Sequence, residues 1–159
     1  MAKKEEKTNV MRILDQHDIP YTYKFYENDG KMTGTEIAAL LGRTPDTVFK
    51  TLVTVGRSGE HYVYVLPAEA NLSLKKAAAA VGEKNIQLIP LKELQPLTGY
   101  VHGGCSPIGQ KKQLRTVVDN SAKDLPVMGF SGGRLGCHVE TRPSDLEKVI
   151  PLEYADICE

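Results

Sequence analysis

A glycine-rich segment at residues 99–112 contains the densest set of residues that could bind a ligand. It reads GYVHGGCSPIGQKK, with four glycines, a serine-proline step and two lysines. Glycine permits positive φ angles and close backbone approach, so the amides of Gly103, Gly104 and Cys105 could converge on an oxyanion or a phosphate. The same composition is also typical of a tight turn between strands. From this segment alone, a binding loop and a structural turn are both consistent with the sequence.

Lys50 interrupts an apolar segment, VFKTLVTV, whose composition predicts a strand. Side chains alternate across a strand, so Lys50 shares a face with Val48 and Leu52, and Thr51 projects from the opposite face. An ammonium that is buried without a partner is costly, so Lys50 must reach water, a carboxylate or a ligand. Lysines on edge strands also block pairing with other chains. The strand by itself favours this second interpretation.

Metal and thiol chemistry are less well supported by the residues. Imidazole and thiolate ligands for a metal ion could come from His102, Cys105, Cys137 and His138. However, adjacent residues of a strand point to opposite faces, and zinc sites draw closely spaced ligand pairs from turns. Cys105 could act as a nucleophile, but no base is identifiable beside it, and a free cysteine most often packs as a small hydrophobic residue. We therefore expect neither a metal nor another cofactor.

Composition and charge predict one domain over residues 1–159, because 41% of the residues are hydrophobic and can build a core. Lys and Arg number 20, as do Asp and Glu, so RNA binding would need local positive potential. Residues 1–7 mix charges without an apolar segment behind them, which predicts neither a signal peptide nor a membrane anchor. Three widely spaced cysteines fit a reducing cytoplasm. If RNA is bound, the candidate phosphate contacts are Lys75, Lys76, Lys111, Lys112 and Arg134.

Hydrophobic periodicity and turn residues predict alternating helices and strands. Thr33 and Glu36 have the spacing of a capping box, and Ser73 is placed to cap a further helix. A polar turn at residues 56–59 joins two predicted strands into a hairpin. Helices are expected at residues 10–17, 37–41, after 73, 91–97 and 144–149, and strands at 21–26, 48–55, 61–66, 86–89, 100–102, 116–118, 126–130 and 137–140. We therefore expect a mixed, largely antiparallel, partly closed α/β sheet with surrounding helices.

Four ordered sequence blocks carry a resemblance to a known family. They are VFKTL at residues 48–52, LSLKKAA at 72–78, the glycine-rich segment, and FSGGRLG at 130–136. With these blocks the chain resembles the Cys-tRNA(Pro) deacylases of the YbaK/EbsC type, relatives of the editing domain inserted in bacterial prolyl-tRNA synthetases. Chance can produce one such block, but not all four at the family's spacing. The resemblance also implies the same α/β editing-domain fold.

The resemblance implies roles for particular residues. Lys50 corresponds to the central active-site residue, which favours a ligand-facing lysine over the edge-strand interpretation. Gly103 and Gly104 would hold the ester carbonyl, Ser131 would donate to the ribose or aminoacyl group, and Tyr26 would contact the terminal adenosine.

Four further positions are implied as substrate-binding, namely Thr33, Ser106, Pro107 and His138. The chain departs from the family pattern at two of them, because His138 replaces an aspartate and Thr33 replaces an aromatic residue. Leu135 likewise replaces a basic residue.

The function implied is removal of a mischarged amino acid, most often cysteine, from tRNA(Pro) by cleavage of the aminoacyl ester. Such an ester is already activated, and the thiol of cysteine can itself attack the carbonyl, so the protein mainly positions the substrate and stabilises charge. Alanine is the second candidate substrate. Prolyl-tRNA synthetase is the expected protein partner. The alternative is a catalytically drifted module of the same fold that binds tRNA or a synthetase.

Overall fold

The computed structural model describes residues 7–159, which form five α-helices and eight strands arranged in two sheets. The helices are α1 Asn9–Gln16, α2 Gly34–Leu40, α3 Leu74–Val81, α4 Leu91–Thr98 and α5 Pro143–Val149. The strands are β1 Thr22–Phe25, β2 Phe49–Gly56, β3 His61–Pro67, β4 Ile86–Leu88, β5 Arg115–Asp119, β6 Met128–Ser131, β7 Cys137–Thr141 and β8 Leu152–Ala155. The segment tested for a signal peptide, residues 1–7, lies almost wholly outside the described residues.

The two sheets differ in their pairing. One has three strands in the order β1-β7-β6, all antiparallel. The other has five strands in the order β4-β2-β3-β5-β8, in which β5 runs parallel to both β3 and β8. A bridge between Val48 and Gly129 joins the sheets. The predicted mixed α/β class is confirmed.

Strand β3 separates two hydrophobic clusters by simple alternation. Val63 and Val65 belong to a large cluster that extends to the three-stranded sheet and α1. Tyr62, Tyr64 and Leu66 belong to a second cluster that packs under α3. Because successive strand residues face opposite sides, β3 is buried on both faces and holds the two layers together.

The helix starts expected from sequence are confirmed. Thr33 accepts a hydrogen bond from the Glu36 amide at 3.1 Å, and the Glu36 carboxylate accepts one from the Thr33 amide at 2.8 Å. Ser73 caps α3 by accepting from the Lys76 amide at 3.2 Å. The hairpin of β2 and β3 is also present.

One expected strand is absent, and one observed strand was not expected. Residues 100–102 do not form a strand, because Gly99 ends α4 in the left-handed region and the Tyr100 amide then donates to the Thr98 hydroxyl. The Val101 carbonyl accepts from the Gly104 amide, which turns the chain immediately. Strand β8 was not expected, since it pairs in parallel with β5, far away in sequence.

None of the helices within residues 7–159 is long and apolar enough to cross a membrane.

Thr33→Ala should lower the free energy of unfolding by about 1 kcal/mol, because the first turn of α2 loses its side-chain cap. Chemical denaturation monitored by circular dichroism measures the difference. Thr35→Ala is the matched control, since Thr35 is exposed inside α2 and alanine is the better helix former. Equal losses in the two variants would contradict the capping role.

Candidate active site

A cavity of about 270 Å³ is lined by residues from both sheets. Its walls come from the start of β2, the end of β6, the start of β7, α2 and the glycine-rich segment. Pockets for drug-sized ligands typically hold roughly 300–1,000 Å³. The cavity therefore suits a small group, such as one amino-acid residue with the ester bond that carries it.

Lys50 lies at the open edge of β2. It pairs with Leu66 of β3, whereas β4 pairs only with the far end of β2, from Thr54 onward. Phe49 and Thr51 project to the face of the strand opposite to Lys50, and residues of both faces border the cavity at this edge. The Lys50 side chain is half-buried, and this burial lowers the pKa of its ammonium. No carboxylate within residues 7–159 pairs with it, so a ligand can approach an unpaired cation.

Tyr26, Ser131 and His138 line the cavity from the three-stranded sheet. Ser131 and His138 are directly paired neighbours on β6 and β7, so their side chains project from the same face. Tyr26 follows β1, and its amide donates to the Gly136 carbonyl at 2.8 Å. Burial raises the pKa of the Tyr26 phenol, which keeps it a neutral hydroxyl that can donate a hydrogen bond.

Residues 129–133 read GFSGG and so match the G-x-S-x-G motif of serine hydrolases. The structural context differs from that motif, because Ser131 ends β6 and leads into a loop, not a helix. The Ser131 hydroxyl accepts a hydrogen bond from the Gly133 amide at 3.1 Å, and no hydrogen bond joins it to His138. The geometry favours a substrate contact over a nucleophile.

His138 is almost completely buried, with 4% of its surface exposed. Its Nε2 lies 3.0 Å from a carboxylate oxygen of Glu140. Burial lowers the pKa of the imidazole, and the neighbouring Glu140 opposes this shift. His138 therefore contributes a neutral ring to the cavity at neutral pH.

The glycine-rich segment presents fewer free amides than its sequence suggests. Gly103 has a φ of 85°, which favours glycine, and it lines the cavity. A Cβ at Gly104 would lie 3.0 Å from the Cα of Arg134, so this position needs glycine for close backbone packing. The Gly104 amide is already donated to Val101. Gly103 remains the loop glycine that faces the ligand space.

Three of the sequence-predicted binding residues do not line the cavity. The Ser106 hydroxyl is buried and accepts from the Ile108 amide, and the Pro107 carbonyl accepts from the Gln113 side chain. Thr33 caps α2, and its neighbour Met32 reaches the cavity instead. The structure thus gives these three residues roles in shaping the loops around the site.

Cys105 lines the cavity but is buried, and the burial raises the pKa of its thiol to about 12. A thiol with this pKa carries almost no thiolate at neutral pH, and the thiolate is the nucleophilic form. His102 also lines the cavity. No group of three or more His, Cys, Asp or Glu side chains within residues 7–159 is placed to hold a metal ion.

The predicted phosphate contacts are exposed but dispersed. Arg134 stacks over the Phe25 ring at 4.8 Å and lies against the glycine-rich segment. Lys111 donates to the Pro96 carbonyl at 3.3 Å, and Lys112 is exposed beside it. Lys75 and Lys76 begin α3, where Lys76 pairs with Asp156 at 3.0 Å.

Sequence reasoning missed Thr51, which lines the cavity. Its hydroxyl oxygen is buried and has no hydrogen-bond partner elsewhere in the described chain. Such groups are rare in folded proteins and call for a partner. The position of Thr51 next to Lys50 could have indicated a site residue, but strict alternation along the strand assigned Thr51 to the opposite face.

Comparison with known proteins gives the family. A family model for the aminoacyl-tRNA editing domain matches residues 29–149. The chain is 39% identical to an Enterococcus faecalis protein named "Putative Cys-tRNA(Pro)/Cys-tRNA(Cys) deacylase EbsC", over 99% of this chain and 98% of the relative. The chain belongs to the family of aminoacyl-tRNA editing domains, and its enzyme class is aminoacyl-tRNA deacylase.

Two more distant matches agree with this family. The chain is 24% identical to a proline–tRNA ligase of Kosmotoga olearia. The match covers 86% of this chain and 24% of that larger enzyme. A crystal structure titled as that of "a putative trans-editing enzyme for prolyl tRNA synthetase" has the same fold, with a TM-score of 0.81 and 23% identity over 97% of this chain and 99% of the other.

Cys105→Ala should keep most of the deacylase activity, and lose far less than about a hundredfold, since a buried protonated thiol does not supply the nucleophile. Initial rates of aminoacyl-tRNA hydrolysis measure this, with the melting temperature as a check on folding. A larger loss in a variant that folds normally would make Cys105 a covalent nucleophile.

Proposed function

We propose that the protein is a trans-editing deacylase that removes cysteine from tRNA(Pro) in the cytoplasm, using the cavity around Lys50. One observation carries this proposal. An unpaired half-buried ammonium, a neutral phenol, a serine hydroxyl and a glycine with positive φ converge on a space that fits one aminoacyl group. The name of the Enterococcus faecalis relative supports cysteine as the amino acid.

The chemistry requires positioning more than an activated protein nucleophile. Lys50 would orient the ribose-ester end of the substrate and stabilise negative charge on the leaving oxygen. The Gly103 amide would donate to the ester carbonyl, and Tyr26 would contact the terminal adenosine. With a cysteinyl substrate, the thiol attacks the carbonyl carbon, the bond to the ribose oxygen breaks, and a thiolactone leaves. Water can replace the thiol for other amino acids.

The rest of the tRNA would be held by the exposed cations. Arg134 lies beside the glycine-rich segment, so we assign it the phosphates closest to the cavity. Lys111 and Lys112 in the glycine-rich segment, and Lys75 and Lys76 in α3, would contact further phosphates. With a formal net charge of zero, affinity would be modest and salt-sensitive, which fits a requirement for prolyl-tRNA synthetase as a docking partner.

A panel of aminoacyl-tRNAs tests the substrate. We expect Cys-tRNA(Pro) to be deacylated fastest, followed by Ala-tRNA(Pro), and Pro-tRNA(Pro) to remain intact. The reaction is run with and without prolyl-tRNA synthetase, and an uncatalysed control corrects for spontaneous hydrolysis. If every ester survives but the tRNA is bound, the protein is a binding module and the deacylase proposal is wrong.

Lys50→Ala should lower kcat/KM by more than about a hundredfold, equal to about 2.7 kcal/mol of barrier. The melting temperature should change by only about 3 °C or less, since Lys50 makes no ion pair or side-chain hydrogen bond within residues 7–159 whose loss would destabilise the fold. Lys50→Arg should also be poor, because a forked guanidinium does not replace a compact ammonium. Lys84→Ala, at an exposed lysine remote from the cavity, is the control.

A strand-edge role for Lys50 predicts the reverse result. Lys50→Ala would then keep its activity and aggregate more readily, which light scattering would detect.

A further inference from the structure

The ring of His138 is held in place by the strands on either side of it. Its ring lies over Gly129 of the neighbouring strand β6, where an added Cβ would come within 2.3 Å of the ring carbon Cε1. Strand β7 is paired on both sides at this residue, with Lys24 of β1 and Ser131 of β6. The imidazole is therefore held by packing before any hydrogen bond is considered.

Glu140 holds one nitrogen of this ring. It lies two residues further along β7 and so projects from the same face, where its Oε2 is 3.0 Å from His138 Nε2. The other carboxylate oxygen accepts from Arg43 and from the Thr22 hydroxyl, each at 3.3 Å. A carboxylate engaged by a guanidinium accepts hydrogen bonds, so Nε2 carries the proton and donates.

The second ring nitrogen is left as an acceptor. In a neutral imidazole that is protonated at Nε2, Nδ1 carries a lone pair. His138 Nδ1 makes no hydrogen bond to any residue in the part of the chain described, and His138 lines the cavity. This is the arrangement in which a carboxylate orients a histidine for proton transfer.

We propose that His138 is the general base of the cavity and that Glu140, held by Arg43, is the positioning residue that fixes its tautomer. The proposal rests on the deacylase function and names the group that moves the proton. His138 Nδ1 takes the proton from the attacking water or substrate thiol as that atom bonds to the carbonyl carbon. The bond from this carbon to the ribose oxygen then breaks, and the same proton passes from Nδ1 to that oxygen.

The charges around the ring determine how the variants should behave. Burial is the main cause that lowers the pKa of His138, and Arg43 and Lys24 lower it further, whereas Glu140 raises it. The other titratable groups that line the cavity are Tyr26, Lys50, His102, Cys105 and Cys137. A neutral base is active above its pKa, so the rate should fall on the acidic side of a value lower than 6.5.

The pH profile of kcat/KM between about pH 5 and 8 tests the base role. Glu140→Gln removes the charge that raises the pKa, so its acidic limb should move to lower pH while the plateau rate falls with the weaker base. Arg43→Met removes a charge that lowers the pKa, so its limb should move to higher pH. Glu153→Gln, in the Arg115 ion pair on β8, is the matched control and should change neither. Limbs that stay in place, or move in the same direction, would overturn the proposal.

His138→Ala gives a second test of the base role. It should lower the rate by about a hundredfold or more, and added imidazole should restore part of the loss, since a free base can enter the space that the ring leaves. A folded His138→Ala variant that retains full activity would overturn the base role.

The tautomer of His138 can be measured by NMR in the absence of substrate. In the protein labelled with ¹⁵N-histidine, the His138 signals, assigned by their loss in His138→Ala, should show Nε2 protonated and Nδ1 bare. A proton on Nδ1 would overturn the inference even in an active enzyme. Failure to deacylate any aminoacyl-tRNA, with the expected tautomer present, would instead reject the deacylase function and with it the base role.

Discussion

Gly129 is the residue on which the geometry of the site depends. Its backbone forms the bridge to Val48 that joins the two sheets, and its missing side chain leaves the space that the His138 ring occupies. The bridge brings β2 beside β6, while β4 covers only the distant end of β2. The cavity is thus the gap at an incompletely covered strand edge, lined by Lys50 from the five-stranded sheet and by His138 from the three-stranded sheet. A larger residue at position 129 would disturb both walls at once.

The parts of the fold that could be predicted are those set by neighbours in sequence. The Thr33 cap and the hairpin of β2 and β3 depend on residues a few positions apart, and both are present. The strand expected at residues 100–102 had a suitable composition. However, Gly99 ends α4 in the left-handed region, and the Tyr100 amide donates to the Thr98 hydroxyl and not to a neighbouring strand. Strand β8 depends on parallel pairing with β5, a contact that no local pattern records.

In the site, too, the features set by neighbours in sequence could be predicted, and those set by distant parts of the chain could not. Lys50 stood out as a cation inside an apolar strand, but the strand alone favoured an edge-strand role, and only the resemblance to the family favoured a ligand-facing one. Thr51 was missed because alternation places it on the opposite face, and only the open edge of β2 brings both faces to one cavity. Ser106 was expected to contact the substrate, yet it is fully buried and its hydroxyl accepts a hydrogen bond within its own loop. Burial of a loop residue is a tertiary property that its sequence neighbours do not reveal.

His138 and its partner Glu140 determine how much negative charge surrounds Lys50 in the cavity. An aspartate at position 138 would add a negative charge to the lining of the cavity, whereas the buried imidazole is neutral at neutral pH and its partner Glu140 is engaged by Arg43. The Lys50 ammonium is then less compensated within the cavity, and the attraction for a substrate's own α-ammonium is weaker. The site would gain in stabilising a developing oxyanion, because an uncompensated cation in a poorly solvated space acts more strongly on negative charge. Glu140 does not line the cavity, yet it orients the ring through its contact with Nε2, so its negative charge acts on the imidazole and stays out of the space that a substrate would occupy.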